Sequence, residues 1–187
     1  MKICTATIQG VTPFTASRMH DTPKLEKERP DDYEIRTWRE KAHYDSDGIA
    51  YIPGIAFKQA LDSAAKFLSI QVPGKGKATF TKHFVSGVIC ADNLSLGRSR
   101  DKMEMVTINA NSDGVRGSGK RVKRSFPLIP AWGGKVTFYV LDDAITKEVF
   151  ETVLRESGKF IGVGQYRPQN GGTNGRYDIT ATAWAEQ

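Results

Sequence analysis

The stretch GVGQYRPQNGGTNGRYDIT, residues 162 to 180, holds five glycines and two arginines in its first fifteen positions. Arg167 and Arg176 carry planar guanidinium forks suited to phosphate. Tyr166 offers an aromatic face, and Gln169, Asn170 and Asn174 supply donors and acceptors. Gly162, Gly164, Gly171 and Gly172 have no Cβ, so the backbone there can take positive φ and come close to a partner. These are the groups a nucleic-acid strand engages: backbone N–H and guanidinium at phosphates, a ring face at a base. A loop that merely packs tightly on its neighbours would use the same glycines. A dinucleotide site is excluded, because the third glycine is missing and a helical pattern precedes the loop instead of following it. No GxxxxGK[ST] stretch occurs either.

A second concentration of chemistry lies between Gly97 and Arg124, GRSRDKMEMVTINANSDGVRGSGKRVKR. Arg98, Arg100, Lys102, Arg116, Lys120, Arg121, Lys123 and Arg124 stand against Asp101, Glu104 and Asp113, so this segment carries +5 of the formal +6 of the chain. Charge so localised points to a polyanionic partner. Met103, Met105, Val106 and Ile108 predict a strand here, with NSDG at the tip of a hairpin. A solvated loop without a partner is the plainer alternative. Asp21 to Asp47 is the opposite, with nine acids against six bases. An acidic and a basic face on one protomer would favour head-to-tail assembly of copies.

Catalytic chemistry has few candidates. The chain has three histidines, His20, His43 and His83. A lone histidine is commonly just a hydrogen-bonded residue, and nothing in the spacing of these three requires more. Asp45 and Asp47 of HYDSDG read, on their own, as ordinary turn chemistry. Cys4 and Cys90 form no CxxC or CxxH pattern and fall in apolar runs, which predicts buried free thiols. No cofactor and no metal site is expected.

Positioning these groups requires a scaffold. Residues 3–8 read as a β-branched strand. After Pro53 and Gly54, the residues Phe57, Leu61, Ala64, Ala65 and Leu68 recur at helical spacing, predicting a helix over 54–68. Residues 79–91 read as a strand or hairpin and 136–141 as a strand. Thr146 caps a helix ended by Gly158, and 176–184 form a last strand. Two β–α–β halves of this kind predict an α+β, ferredoxin-like (RNA-recognition-type) sheet. At 187 residues this is expected as one domain, with polar insertions over about 18–50 and 92–125. MKICTATIQG lacks the apolar core of a signal peptide and no run approaches a membrane span, which predicts a soluble, cytoplasmic protein.

Two motifs resemble a known family. The glycine loop, of form G-x-G-x(n)-G-G-x-x-G-R between last helix and last strand, is similar to the signature of the RAMP superfamily, the repeat-associated proteins of CRISPR ribonucleoprotein complexes. Tyr51-Ile-Pro-Gly-Ile-Ala-Phe-Lys58-Gln-Ala-Leu61 resembles the (Y/I)IPGSSLKGALR start of the first helix in the subunits that coat guide RNA, with Ile55-Ala56 in place of two serines and Gln59 in place of glycine. The resemblance implies a ferredoxin-like core with a long insertion after the first strand and a protruding hairpin, or thumb. It implies that Lys58, Lys66, Arg167 and Arg176 face a nucleic-acid backbone, with RNA favoured over single-stranded DNA. The implied role is sequence-tolerant coating of a strand by adjacent protomers, a homo-oligomer with other CRISPR subunits as possible partners. Two alternatives follow from the resemblance. One is a RAMP-type endoribonuclease, in which it implies that His20 or His43 with Tyr44 or Tyr51 would move protons at a 2′-hydroxyl, or that Asp45 and Asp47 would hold a hydrated Mg²⁺ near the phosphate. The other is a virus-borne backbone mimic that blocks CRISPR complexes by protein–protein binding.

Overall fold

The computed structural model describes residues 1–112 and 119–186. Arg116, and Asp113 and Gly114 of the NSDG tip, lie outside the described residues. The chain is a mixed α+β structure with several antiparallel sheets.

Strand β1 (Lys2–Gly10) alternates, with Cys4, Ala6 and Ile8 buried. Next come β2 (Phe14–Thr15), helix α1 (Pro30–Thr37), β3 (His43–Tyr44), β4 (Ile49–Ile52) and helix α2 (Gly54–Leu68). Helix α3 (Thr81–Gly87), β5 (Val88–Cys90), β6 (Leu94–Ser99), β7 (Glu104–Asn111), β8 (Arg121–Ile129), β9 (Gly133–Val140), α4 (Lys147–Glu156) and β10 (Tyr177–Glu186) complete the order. The main sheet runs β10–β1–β9–β5, antiparallel throughout. Helices α2 and α4 contact each other and bury Phe57, Leu61, Phe150 and Leu154 over the Val136, Phe138 and Val140 face of β9.

Helix α2 starts as its sequence dictates. Pro53 holds extended backbone at the N-cap, and the Gly54 N–H donates to Asn93 Oδ1 at 3.1 Å. A Cβ on Gly54 would stand 2.5 Å from the Asp92 carbonyl oxygen, so the helix N-terminus abuts that backbone only because residue 54 is glycine. Thr146 caps α4 as expected, its hydroxyl accepting from the Val149 N–H at 3.3 Å.

Two expectations are corrected. The 79–91 segment is mostly helix α3, followed by the three-residue β5. Phe80 and Phe84, four apart, are both buried, and their packing outweighs the local β preference of the segment. Gly158 does not end α4. It sits inside a π turn, Ser157–Ile161, that closes with Gly162 N–H donating to the Ser157 carbonyl at 2.8 Å. A Cβ at 158 would meet the Tyr177 carbonyl oxygen at 1.9 Å. Glycine is therefore needed there for close approach to β10.

The 92–125 segment contributes the paired strands of the expected hairpin. β7 and β8 pair antiparallel, with Asn109 opposite Lys123 and Asn111 opposite Arg121, and β2 extends them to a three-stranded sheet. The 18–50 insertion is partly helical. α1 has Pro30 in its first turn with Asp31 and Asp32, matching the helix dipole. It docks on the hairpin through Glu34, which is 5 % exposed. Its carboxylate accepts from Lys41 Nζ at 2.5 Å, from Arg124 at 2.7 Å and from the Ser125 N–H at 3.0 Å. Glu40 likewise pairs with Arg100. The acidic and basic segments thus neutralise part of each other within one chain.

Candidate nucleic-acid interface

The glycine loop is built by backbone crossing itself. Val163 N–H donates to the Gly175 carbonyl at 3.0 Å, and Asn174 N–H to the Tyr166 carbonyl at 3.0 Å. A Cβ at Gly175 would lie 1.8 Å from the Val163 carbonyl oxygen, and one at Gly172 would lie 1.8 Å from that of Tyr166. The loop is also strapped to the chain after β1. Gln165 N–H donates to the Thr15 carbonyl at 2.7 Å, Gly175 N–H to that of Pro13 at 2.8 Å, and Asn174 Nδ2 to Thr15 Oγ1 at 2.6 Å. Gly164, at φ +79°, packs on Phe14 and Thr15. Packing therefore accounts for Gly162, Gly164 and Gly172 without a ligand. Gly171, at φ +77°, closes a short turn.

Rigid strapping leaves Tyr166, Gln169 and Gly171 held toward the hairpin. Tyr166 has φ +57°, a conformation rare for a large side chain. Its ring meets Phe126 of β8 edge-on at 6.2 Å. Burial pushes its hydroxyl pKa up, against a hydrogen bond with Gln165 and the nearby Arg121 charge, so it stays a neutral donor. Between loop and hairpin opens a cleft of about 590 Å³ lined by Asn109, Asn111, Arg121, Gln165, Tyr166, Gln169, Asn170 and their neighbours. Among the described residues five carboxamides, one guanidinium and one phenol line it, and no carboxylate does. Carboxamides present donor and acceptor together, as base edges and the ribose 2′-hydroxyl do. The cleft joins the two segments the sequence singled out. Asn109, Asn111 and Gln165 were missed; the alternation in TINAN was the signal that places 109 and 111 on one face.

The predicted cations divide in two. Lys120, Arg121 and Lys123 are exposed on the hairpin, and Lys66 is exposed on α2. Arg167 is half-buried against α2, near Gln59 and Ser63, with its Nε donating to Gln169 at 3.2 Å. Arg98 lies 4.0 Å from Glu104. Arg100 pairs with Glu40 and stacks near Tyr44. Arg124 holds Glu34, and Arg176 donates to the Lys159 carbonyl in the middle of the π turn.

Lys58 is a correction. It is 9 % exposed, and its ammonium donates to Asp62, to the Phe84 carbonyl at 2.8 Å and to that of Val85 at 3.2 Å. It neutralises the C-terminal end of α3 instead of facing a strand. Lys58→Met is expected to cost roughly 1–3 kcal/mol of stability, read from the urea midpoint. It should leave the salt dependence of strand binding unchanged; a shallower salt slope would return Lys58 to the surface set.

Of the catalytic candidates, His43 and Tyr51 are brought together, while His20, Asp45 and Asp47 are engaged elsewhere. His20 Nδ1 is 3.1 Å from Thr22 Oγ1 and its ring stacks on Tyr33. His43 faces Tyr51 across β3 and β4 with rings 5.5 Å apart, and burial, with Arg18 nearby, holds its pKa below the usual histidine range. The Tyr44 hydroxyl donates to the Arg39 carbonyl at 2.9 Å. Asp45 Oδ1 accepts from the Asp47 N–H at 3.0 Å and the Ile49 N–H at 2.9 Å, so it makes the turn. Among the described residues no three His, Cys, Asp or Glu side chains gather as a metal site. Cys4 and Cys90 are buried and free, and burial pushes both thiols up to about 12. No helix is long and apolar enough to cross a membrane among the described residues.

No protein-family model and no curated protein matches the chain. Solved structures do. A chain of the Type III-B Cmr-beta complex bound to cognate target RNA aligns over 99 % of this chain with a TM-score of 0.57 and 14 % identity. This chain spans 61 % of that relative's length. Cmr6 from Pyrococcus furiosus aligns over 96 % of this chain and 99 % of its own, with a TM-score of 0.51 and 12 % identity. At these identities the likeness is one of fold, over nearly the whole of this chain. The chain shares its fold with these two structures, in keeping with the resemblance carried by the glycine loop and the start of α2.

Proposed function

We propose that this protein binds single-stranded nucleic acid without catalysing its cleavage, as a CRISPR-associated subunit with RNA favoured over single-stranded DNA. The observation that carries this reading is the cleft between glycine loop and hairpin. Its described lining offers a cation, a ring and five carboxamides. The strand's phosphates meet Lys120, Arg121 and Lys123 on the exposed hairpin, and its bases and sugars meet Tyr166 and the amides. Arg167 and Lys66 continue the cationic track along α2. Contact through phosphate and ring faces makes binding tolerant of sequence.

The scaffold fits that role as one ferredoxin-like domain. The β10–β1–β9–β5 order, with α2 and α4 as crossovers, supports a split β–α–β core. Segments 18–50 and 92–125 are its insertions, the second forming the thumb. Likeness to a chain from a complex bound to target RNA supports RNA as the strand. Several protomers, or this protomer with other CRISPR subunits, line up along it in the cytoplasm.

The test is titration of labelled 40-nucleotide single-stranded RNA, single-stranded DNA and duplex DNA at several salt concentrations, with the same samples run on a denaturing gel. Intact, salt-steep binding of single strands, tightest for RNA, is expected. Replacing Arg121 and Lys123 together by Ala should flatten the log–log salt slope by about 1.4, near 0.7 for each phosphate no longer neutralised. The weakening should be similar on unrelated sequences. Cleaved product would replace this reading with the endoribonuclease, and no binding at low salt would replace it with a protein-directed role.

A further inference from the structure

Phe67 and Phe160 form an exposed aromatic pair for which the core has no use. Phe67 lies in the last turn of α2, off the face that buries Phe57, Leu61, Ala64 and Ala65, and is 62 % exposed. Phe160 is 47 % exposed and belongs to the π turn, whose extra residue turns it outward just before Gly162. The two rings are 5.3 Å apart at 38°. They line a cleft of about 520 Å³ with Ser63, Lys66, Pro168 and Gln169.

This cleft and the loop–hairpin cleft share Gln169. Arg167 and Gln169 sit together over Gln59 and Ser63 of α2, on the surface between them. Exposing two phenylalanines side by side is unfavourable unless something covers them. What covers them is indicated by the surroundings: Lys66 at the edge, Arg167 beside it, and an amide leading directly to the proposed strand cleft. An apolar protein segment would not call for that cationic border, whereas unpaired bases stack on rings while their phosphates follow cations.

We infer that Phe67 and Phe160 are a base-stacking platform on which the bound strand continues after leaving the loop–hairpin cleft across Gln169. The inference rests on the nucleic-acid reading above. Two ring faces select unpaired bases of any sequence, and a duplex, whose bases are already stacked, gains nothing there.

The experiment compares wild type with the Phe67→Ala/Phe160→Ala double variant on a single-stranded 20-nucleotide RNA and a length-matched abasic ribose-phosphate strand. Thermal unfolding checks that the variant is folded, as two exposed side chains predict. Binding of the RNA should weaken about 5- to 150-fold, with the salt slope unchanged. Binding of the abasic strand should not change. A Phe67→Trp variant should hold or improve RNA affinity. Equal weakening on both strands, or none on RNA, overturns the platform while leaving strand binding intact, and the latter result leaves the pair to a protein partner. If wild type binds no strand at all, the nucleic-acid reading fails first and the platform with it.

Discussion

Glu34→Ala should cost about 3–5 kcal/mol of folding stability at pH 7, because it strands Lys41 without its counter-ion inside the structure. Lys41 is 8 % exposed, donates to the Ser125 carbonyl at 2.8 Å and lies 4.5 Å above the Phe126 ring. Those neighbours cannot neutralise its charge. Against a typical domain stability of roughly 5–15 kcal/mol the loss is large. Its pH dependence has a definite sign. Burial would raise the Glu34 pKa, but hydrogen bonds from Lys41, the Ser125 N–H and Arg124 outweigh it, and the net shift is downward. A depressed carboxylate contributes stability above its unfolded pKa of about 4.3, and that contribution is lost as pH falls through the folded value. Urea midpoints of wild type and variant should therefore differ most near neutrality and converge in acid. A difference below about 1 kcal/mol at pH 7 would mean the clasp between α1 and the hairpin is not a stabilising strut.

Gly175→Ala is expected to cost about 3 kcal/mol or more, combining overpacking against backbone with left-handed strain. The added methyl would stand 1.8 Å from the Val163 carbonyl oxygen at φ +74°. Gly74→Ala separates the two causes, since residue 74 has φ +74° and nothing within 4 Å of its Cβ direction. It should cost only about 1 kcal/mol. Equal thermal shifts in the two variants would show that the self-crossing of the loop contributes nothing. A larger destabilisation at 175, with strand affinity falling alongside it, is the expected result, because the same crossing holds Tyr166 and Gln169 in the cleft.

How much was legible in the sequence depends on how locally each feature is determined. Helix α2 was readable residue by residue because its period, its Pro-Gly start and its core face are all local. The pairing of β7 with β8 was readable from the alternation along the segment. Helix α3 was not, since Thr-Lys-His-Phe-Val-Ser-Gly has weak helical preference and is held by Phe80 and Phe84 packing into a core built from distant segments. Lys58 looked like a surface cation because its acceptors at residues 84 and 85 lie about 26 positions away in sequence. The glycine loop and the basic hairpin were each singled out from sequence. That they share one cleft follows only from Tyr166 meeting Phe126, forty residues earlier. Most of the loop's glycines proved to serve packing, and the side chains between them line the cleft.

The internal pairing of Glu34 with Lys41 and Arg124, and of Glu40 with Arg100, bears on how copies would associate. Charges already satisfied within a subunit are poor glue between subunits. Attraction between neighbours would then owe little to these groups, while attraction to a phosphate chain would still rest on the exposed Lys120, Arg121 and Lys123. Ionic strength would act unequally on the two steps, releasing the strand well before it separated any protein neighbours.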